Sequence, residues 1–302
     1  MKKIQLSKNG PSLSQIVYGV WRLGDNPEQR NLGEVMKKID SALESGMTTF
    51  DHADIYGNYG CEELFGMALK ESPKLRDEME LVTKAGIKLI SDQRPSHKIK
   101  SYDTSPAHLT SSLEQSLKNL NTDHVDLFLI HRPDPLMDVD ATAAALDKLV
   151  TSGKTKHVGV SNFTPSQISS LNSRLENKLV TNQIELSCLH MDPLHDGTID
   201  QAVELNMAPM AWSPLGGGQL FTGKDEQSIR VSKTLEKLGG LYKADTAQMA
   251  LAWLLSHPAK ILPIIGTNNC DRIRSMAKAC EIQLKREHWF EIWEASAGQE
   301  VP

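Results

Sequence analysis

Four side chains that can take part in proton transfer follow short apolar segments of this chain. Asp51 and Tyr56 come after one such segment, Lys84 after the next and His131 after a third. A lysine ammonium beside a phenol stabilises the phenolate and lowers the pKa of the phenol from about 10. We therefore expect Tyr56 to donate a proton, with Asp51 as the ion-pair partner of Lys84. With a hydrogen bond from His131, this predicts a site that protonates a carbonyl oxygen while another group delivers hydride.

Each of these residues also has a structural explanation when it is considered alone. A lysine at a strand end is usually solvated, Asp51 could cap the following turn, and Tyr56 could anchor a glycine-rich loop. The chemical interpretation is favoured only if the segments that they follow lie side by side. The elements that position them therefore decide between the two interpretations.

Eight short segments rich in Val, Ile and Leu show little polar alternation, which indicates strands buried on both faces of a parallel sheet. The predicted strands are Ile16–Val20, Thr48–Phe50, Glu80–Thr83, Val125–Ile130, Lys156–Val160, Val180–Ile184, Pro209–Trp212 and Ile261–Ile265. Helical segments lie between many of them, with apolar residues about four positions apart and with start and stop signals at their ends. The predicted helices are Gly33–Glu44, Pro106 to about Asn121, Val139–Thr151, Pro165–Leu175, Thr198–Leu205, Thr246–Ser256, Asp271–Cys280 and about Arg286–Ala297.

Strands that alternate with helices in this way predict an α/β fold of the (β/α)8 TIM barrel type. A doubly wound open sheet competes, but it usually carries Gly-x-Gly-x-x-Gly after its first strand, and that pattern does not occur in this sequence. A short N-terminal hairpin, Ile4–Leu6 with Leu13–Ser14, should precede the barrel. We expect one domain over residues 1–302, with long loops at Gly86–Thr104 and Pro214–Ser228.

The active site of such a barrel lies at the carboxyl ends of its strands, so the residues at those ends should converge. They are Asp51, Lys84, His131, Ser161-Asn162, Gln183 with Glu185, Trp212-Ser213 and Gly266-Thr267. One polar strand end means little because loops usually begin with polar residues. Seven strand ends of this kind together favour a functional rim.

Segments that span nearly the whole chain resemble, in order, the motifs of the aldo-keto reductase family, and in particular its bacterial NADPH-dependent branch. They are Thr49-Phe50-Asp51-His52-Ala53-Asp54-Ile55-Tyr56-Gly57, Val82-Thr83-Lys84, Asp126-Leu127-Phe128-Leu129-Ile130-His131-Arg132-Pro133, Gly159-Val160-Ser161-Asn162-Phe163, Asn182-Gln183-Ile184-Glu185, Ala211-Trp212-Ser213-Pro214-Leu215 and Gly266-Thr267 with Arg272-Ile273. The resemblance implies an oxidoreductase that reduces the carbonyl group of a small molecule by hydride transfer from NADPH.

The resemblance also implies a role for each matching residue. Tyr56 would be the general acid, Lys84 its neighbour, Asp51 the partner of Lys84, and His131 the residue that orients the carbonyl oxygen. The residues that would bind the cofactor are Ser161, Asn162 and Gln183 at the nicotinamide carboxamide, Trp212 stacked on the ring, and Ser213, Pro214, Leu215 and Gly216–Gly218 at the pyrophosphate. Many family members have Tyr in place of Trp212, and the stacking face is kept.

Residues after the eighth strand would bind the adenosine end of NADP(H). Gly266, Thr267, Asn268 and Arg272 lie at or just before the start of a predicted helix. A helix N-terminus favours an anion, and a guanidinium can hold phosphate oxygens through two hydrogen bonds. Many NADPH-preferring members carry a basic residue at the position of Gly266, so the expected preference for NADPH over NADH rests largely on Arg272.

The composition argues against several other classes of protein. The net charge is −5 and the calculated pI is 6.1, which provides no basic footprint for nucleic acid or an anionic membrane. The start, Met1-Lys2-Lys3-Ile4, lacks the apolar segment of a signal peptide. Four widely spaced cysteines are typical of reduced thiols in a cytoplasmic protein. Oligomeric state is not readable from the sequence.

Two alternatives remain open from the sequence. A metal-dependent hydrolase on the same barrel would use Asp51 to Asp54, His131, and the histidines of His190–His195 as ligands, whereas our interpretation needs no metal. A non-enzymatic relative would lack the catalytic tyrosine or lysine, and both are present.

Overall fold

The computed structural model describes residues 1–301. Its strands are β1 (Lys3–Gln5), β2 (Ser12–Ser14), β3 (Val17–Gly19), β4 (Thr49–Asp51), β5 (Glu80–Ala85), β6 (Ile87–Lys88), β7 (Ser101–Tyr102), β8 (Val125–Ile130), β9 (Thr155–Ser161), β10 (Asn182–Glu185), β11 (Met210–Trp212) and β12 (Leu262–Ile265). Its helices are α1 (Leu32–Glu44), α2 (Tyr56–Tyr59), α3 (Cys61–Glu71), α4 (Pro106–Leu120), α5 (Val139–Thr151), α6 (Pro165–Arg174), α7 (Thr198–Glu204), α8 (Gln219–Thr222), α9 (Glu226–Tyr242), α10 (Thr246–Leu255), α11 (Cys270–Ala277) and α12 (Arg286–Ala297).

Eight parallel strands close into a barrel in the order β3-β4-β5-β8-β9-β10-β11-β12, with β12 paired to β3. Each of the eight predicted strands corresponds to one barrel strand, so the predicted (β/α)8 fold is confirmed. Consecutive strands are neighbours throughout, which places the ends of β4, β5 and β8 side by side.

Side chains alternate between the barrel interior and the surrounding helices because successive residues of a strand point to opposite faces. Val82, Leu127 and Leu129 belong to the interior cluster, whereas Leu81 and Phe128 pack with the helices. The antiparallel hairpin β1–β2 is present as predicted. Leu13 of β2 and Leu6, which follows β1, are fully buried in the same interior cluster.

Two long helices were not predicted. Helix α3 lies between β4 and β5, and α9 begins inside the segment predicted as a loop up to Ser228. Both contain glycine, which lowers helix propensity by about 1 kcal/mol relative to alanine. A Cβ at Gly66 would lie 2.0 Å from the carbonyl oxygen of Asn119, and one at Gly239 would lie 2.4 Å from that of Ala244. These glycines are needed where another backbone segment approaches the helix.

The other predicted loop, Gly86–Thr104, contains the two-stranded hairpin β6–β7. The four cysteines are free. Within residues 1–301, none of the helices combines the length and the apolar character needed to cross a membrane.

Candidate active site

A buried ion pair lies at the carboxyl ends of β4 and β5. Lys84 Nζ is 2.7 Å from Asp51 Oδ2, and it also donates a hydrogen bond of 2.6 Å to the carbonyl oxygen of His52. Gln183 Nε2 donates to the second carboxylate oxygen of Asp51 at 2.8 Å. Burial lowers the pKa of Lys84, but the charge of Asp51 and the neighbouring phenol outweigh it, so the pKa is raised in sum. Lys84 is therefore an ammonium held in the barrel interior.

Tyr56 is placed over this lysine by the turn that follows β4. The Tyr56 amide donates to the carbonyl oxygen of Ala53 at 3.1 Å, and the next residue, Gly57, has φ +57. A Cβ at Gly57 would lie 2.5 Å from Cys61 Sγ, so this sharp turn requires glycine. Lys84 Nζ lies 5.0 Å from the centroid of the Tyr56 ring.

We expected the pKa of Tyr56 to be lowered, and this expectation is wrong because the pKa is raised overall. Burial raises this pKa, and the charge of Lys84 lowers it without cancelling the effect of burial. Asp51 acts in the same direction as burial. Tyr56 is therefore a protonated phenol at neutral pH, which is the form that a proton donor needs.

His131 follows β8 and faces the tyrosine from the side. The two ring centroids are 5.9 Å apart with the planes at 80°. Burial lowers the pKa of His131 well below its ordinary value, and the charges of Lys84 and Arg132 lower it further. A neutral imidazole carries one N–H donor, and Nδ1 is buried without a hydrogen-bond partner in the protein.

The predicted nicotinamide residues form a connected chain of hydrogen bonds next to the ion pair. Ser161 Oγ donates to the carbonyl oxygen of Gln183 at 2.8 Å, and Asn162 Nδ2 donates to Ser161 Oγ at 2.8 Å. Trp212 Nε1 donates to Asn162 Oδ1 at 2.9 Å. This series of hydrogen bonds ends at the half-buried indole of Trp212, whose ring centroid lies 5.5 Å from the Arg132 guanidinium.

The segment after β11 turns tightly through residues with positive φ. Ser213 has φ +50 and is followed by Pro214, Leu215 and the run Gly216–Gly218, whose φ values are +59, +63 and +101. Nothing lies within 4 Å of a Cβ built at Gly217 or Gly218. There is therefore open space beside Gly217 and Gly218, while the amides of Gly216 and Gly218 donate to the carbonyl oxygens of Ser213 and Leu215 at 2.8 and 3.1 Å.

The residues predicted for the adenosine end gather at the N-terminus of α11. Asn269 caps the helix, because its side chain accepts from the Arg272 amide at 2.9 Å. Arg272 is exposed and forms no salt bridge within the described residues. Thr267 and Asn268 precede the cap, and a Cβ at Gly266 would have its nearest neighbour at 3.9 Å, so a larger residue would fit there.

Trp21 is a site residue that the sequence reasoning missed. It follows β3, its surface is 57% exposed, and its ring centroid lies 6.4 Å from that of Tyr56. The carbonyl oxygen of the next residue, Arg22, accepts a hydrogen bond from Asn268 Nδ2 at 2.5 Å, so this segment links Tyr56 to the residues that precede α11. The signal was an aromatic residue just after the first barrel strand, the one strand end that was not considered.

Two residues of the ligand set proposed for a metal-dependent hydrolase make other contacts in the structure. Both oxygens of Asp51 are bound by Lys84 and Gln183, and His52 packs its ring edge-on against Phe65 at 4.5 Å. Among residues 1–301, no group of three or more His, Cys, Asp or Glu side chains is arranged to hold a metal ion.

Sequence and structure comparisons agree on one family. The aldo/keto reductase family model matches residues 15–297. A protein named 6-dehydroglucose reductase from Agrobacterium fabrum is 48% identical over 301 residues, which cover 100% of both chains. The oxidoreductase YdhF of Escherichia coli is 46% identical over 305 residues, again covering 100% of both chains.

A solved structure shows the same architecture. The crystal structure of the thermostable aldo-keto reductase Tm1743 with the inhibitor epalrestat has a TM-score of 0.81 and 27% identity, and the match covers 98% of this chain and 100% of the other. The family match spans the barrel and includes every residue of the candidate active site. This chain is therefore a member of the aldo-keto reductase family.

Proposed function

We propose that this protein is an NADPH-dependent carbonyl reductase in which Tyr56 is the proton donor. The observation that carries the proposal is the Lys84–Asp51 ion pair of 2.7 Å beneath the Tyr56 ring, fully enclosed at the end of a closed barrel. A protonated phenol, an ammonium and a neutral imidazole gathered at the ends of adjacent strands are the groups needed to protonate a carbonyl oxygen as it becomes an alkoxide.

The residues have distinct tasks in this reaction. Tyr56 transfers its hydroxyl proton to the carbonyl oxygen, and the Lys84 ammonium stabilises the phenolate that remains. Asp51 holds Lys84 in place, and Gln183 holds Asp51. His131, which is neutral, donates a hydrogen bond to the carbonyl oxygen and so orients the substrate toward Tyr56.

The side chains present fit a nicotinamide cofactor. When bound, the reduced nicotinamide supplies the hydride to the carbonyl carbon. The half-buried Trp212 offers a flat aromatic face whose orientation is set by its hydrogen bond to Asn162. Ser161, Asn162 and Gln183 would hold the carboxamide, and the open glycine turn Gly216–Gly218 would receive the pyrophosphate.

The substrate is proposed to be a small carbonyl compound, with a sugar aldehyde as the first candidate. Support comes from the names of two relatives, 6-dehydroglucose reductases that are 48% and 38% identical over 301 and 304 residues. Loss of NADPH absorbance with a panel of aldehydes and ketones that includes 6-dehydroglucose tests the proposal. Absence of turnover with every carbonyl in the panel would contradict it.

Stacking of Trp212 on the nicotinamide predicts a fluorescence change. NADP⁺ should quench the tryptophan emission of the wild type, and Trp212→Phe should show a smaller quench because the nearest indole is gone. Trp293→Phe is the matched control, since Trp293 lies on α12 beside His195 and should leave the quench unchanged. An equal quench in Trp212→Phe and wild type would place the nicotinamide elsewhere.

The choice of NADPH over NADH is proposed to depend on Arg272. A charged hydrogen bond contributes about 1.5–3 kcal/mol, and about 1.4 kcal/mol corresponds to tenfold in binding. Arg272→Ala should therefore raise the KM for NADPH about tenfold or more. The KM for NADH should stay nearly constant, because NADH lacks the 2′-phosphate.

Arg274→Ala is the control for this variant. Arg274 lies on the same helix, but it pairs with Glu44 and Asp271 at 3.5 Å, so its loss should leave both KM values unchanged. Equal losses for NADPH and NADH in Arg272→Ala would show that Arg272 does not recognise the 2′-phosphate.

We also propose that residues 1–302 act as one domain in the cytoplasm. The closed barrel and the four free cysteines support this proposal.

A further inference from the structure

A cavity apart from the candidate active site, called the second cavity below, lies between α3, α4 and the segment that follows β5. Its volume is about 260 Å³. The lining includes Asp54, Tyr59, Glu62 and Arg94, but none of Asp51, Tyr56, Lys84 and His131. The cavity is therefore separate from the proposed catalytic residues, although Asp54 lies only two positions before Tyr56 in the chain.

One wall of this cavity is a polar stripe along α4. The residues of the stripe are His108, Ser111, Ser112, Gln115, Ser116 and Asn119. They are spaced three and four positions apart, so they share one face of the helix. The apolar residues Leu109, Leu113 and Leu117 pack with the core instead, and the charged residues Glu114 and Lys118 lie outside the stripe. Apart from its one histidine, the stripe offers hydroxyl and amide groups.

Several polar atoms in this lining are buried without a hydrogen-bond partner in the protein. They are Asp54 Oδ1, Glu62 Oε2, His108 Nε2 and Ser116 Oγ. Glu62 is 2% exposed and Ser116 is 1% exposed. Ser116 and Asn119 lie beside the Glu62 carboxyl and act to lower its pKa, so Glu62 and Ser116 can satisfy each other. An unsatisfied buried polar group costs about 1–3 kcal/mol, so Asp54 Oδ1 and His108 Nε2 in particular indicate that hydrogen-bonding groups enter the cavity.

The charges of the lining favour a neutral occupant. Burial raises the pKa of both Asp54 and Glu62, and the charge of Glu62 raises that of Asp54 further. The lining therefore disfavours two full negative charges side by side. Arg94 contributes a positive charge to the lining, which disfavours a cation, and no three metal-ligating side chains converge within residues 1–301.

We propose that this cavity binds a small neutral polyhydroxylated molecule, a monosaccharide or cyclic polyol, at a site distinct from the catalytic one. Hydroxyl groups both donate and accept hydrogen bonds, as do the serines and the amides of the lining. The volume is below the range of about 300–1,000 Å³ typical of drug-sized ligand pockets, which fits a ligand with about a dozen heavy atoms.

The cavity is connected to the catalytic lysine through its neighbours. The Asp54 amide donates to the carbonyl oxygen of Lys84 at 3.0 Å. Thr83, the residue before Lys84, donates from its hydroxyl to Glu62 Oε1 at 2.6 Å. A ligand held in the cavity by Asp54 and Glu62 should slow amide hydrogen exchange in residues 54–62 and in α4. The exchange measurement therefore identifies where the ligand is bound.

Calorimetric titration with D-glucose and with myo-inositol, without cofactor, tests the proposal. At least one probe should bind saturably, with slower exchange in residues 54–62 and α4. Ser112→Leu fills the cavity from a partly exposed position and should weaken binding at least tenfold. Ser170→Leu, on an exposed position of α6, is the matched control and should bind as the wild type does.

Ser111→Leu, at an exposed position of the same stripe, provides a second variant and should also weaken binding, whether or not Ser112→Leu folds. The inference is overturned if neither probe binds saturably, or if both variants bind as tightly as Ser170→Leu. It is also overturned if methylammonium binds instead, because the carboxyls would then hold a cation. That result would assign an ammonium site.

Discussion

Replacement of Tyr56 by Phe should lower kcat for carbonyl reduction by about 10²–10⁴-fold, the usual contribution of a positioned general acid. The variant keeps the ring that packs over Lys84 and beside His131 and removes only the hydroxyl. Because no proposed cofactor contact is removed, cofactor affinity should stay within about twofold of wild type. Such a change is smaller than RT, which is about 0.6 kcal/mol. Steady-state kinetics with a reactive aldehyde and a separate NADP⁺ titration measure the two effects.

The pH profile of the wild type provides a second measurement of the same role. The acid form of Tyr56 is needed for reduction, so the rate should fall as pH rises through its pKa. Since burial raises that pKa, the fall caused by Tyr56 should begin only above the ordinary phenol value of about 10. Near-normal kcat in Tyr56→Phe would eliminate the assignment of Tyr56 as the acid.

Lys84→Met should be both inactive and less stable. The substitution leaves the Asp51 carboxylate in the barrel interior without its cation, and breaking a buried pair in this way costs about 3–5 kcal/mol. Activity should fall because no ammonium remains to stabilise the Tyr56 phenolate. Urea unfolding gives the free energy of unfolding, and NADPH oxidation by an aldehyde gives the rate.

The double variant Asp51→Asn/Lys84→Met separates the two effects. With both charges removed, the free energy of unfolding should recover most of its wild-type value, because a neutral amide can still accept from Gln183. The rate should not recover. A Lys84→Met protein with wild-type stability and rate would contradict the buried pair, and recovery of rate in the double variant would remove Lys84 from the chemistry.

Local patterns in the sequence predicted much of the barrel and which residues lie together at the candidate site. Strands of a parallel sheet are recognisable because burial on both faces favours a nearly continuous apolar run, as in Val125–Ile130, where Asp126 is the one polar residue and the bounds agree in sequence and structure. Helix α12 was also predicted with its observed bounds, Arg286–Ala297. Once consecutive strands are known to be neighbours, the residues after them must meet, which is why Asp51, Lys84 and His131 could be grouped in advance.

Packing between distant segments decided what the sequence could not. Helices α3 and α9 were missed although the buried residues of α9, Val231, Leu235 and Leu238, are spaced as in a helix. Their glycines lower helix propensity, and the reason for Gly66 and Gly239, the approach of other backbone segments, is visible only in the fold. The pKa of Tyr56 rises in sum because burial outweighs the lysine charge, and burial is known only from the fold.

The two carboxyl groups of the second cavity illustrate the same limit. Asp54 lies in the loop after β4 and Glu62 in α3, and nothing in their spacing indicates that both face a polar stripe of α4. The sequence by itself determined the types and order of the reactive residues, because these follow strand ends. The tertiary structure alone decided their protonation, their unpaired neighbours and the second cavity, because burial and through-space distance are properties of the folded chain.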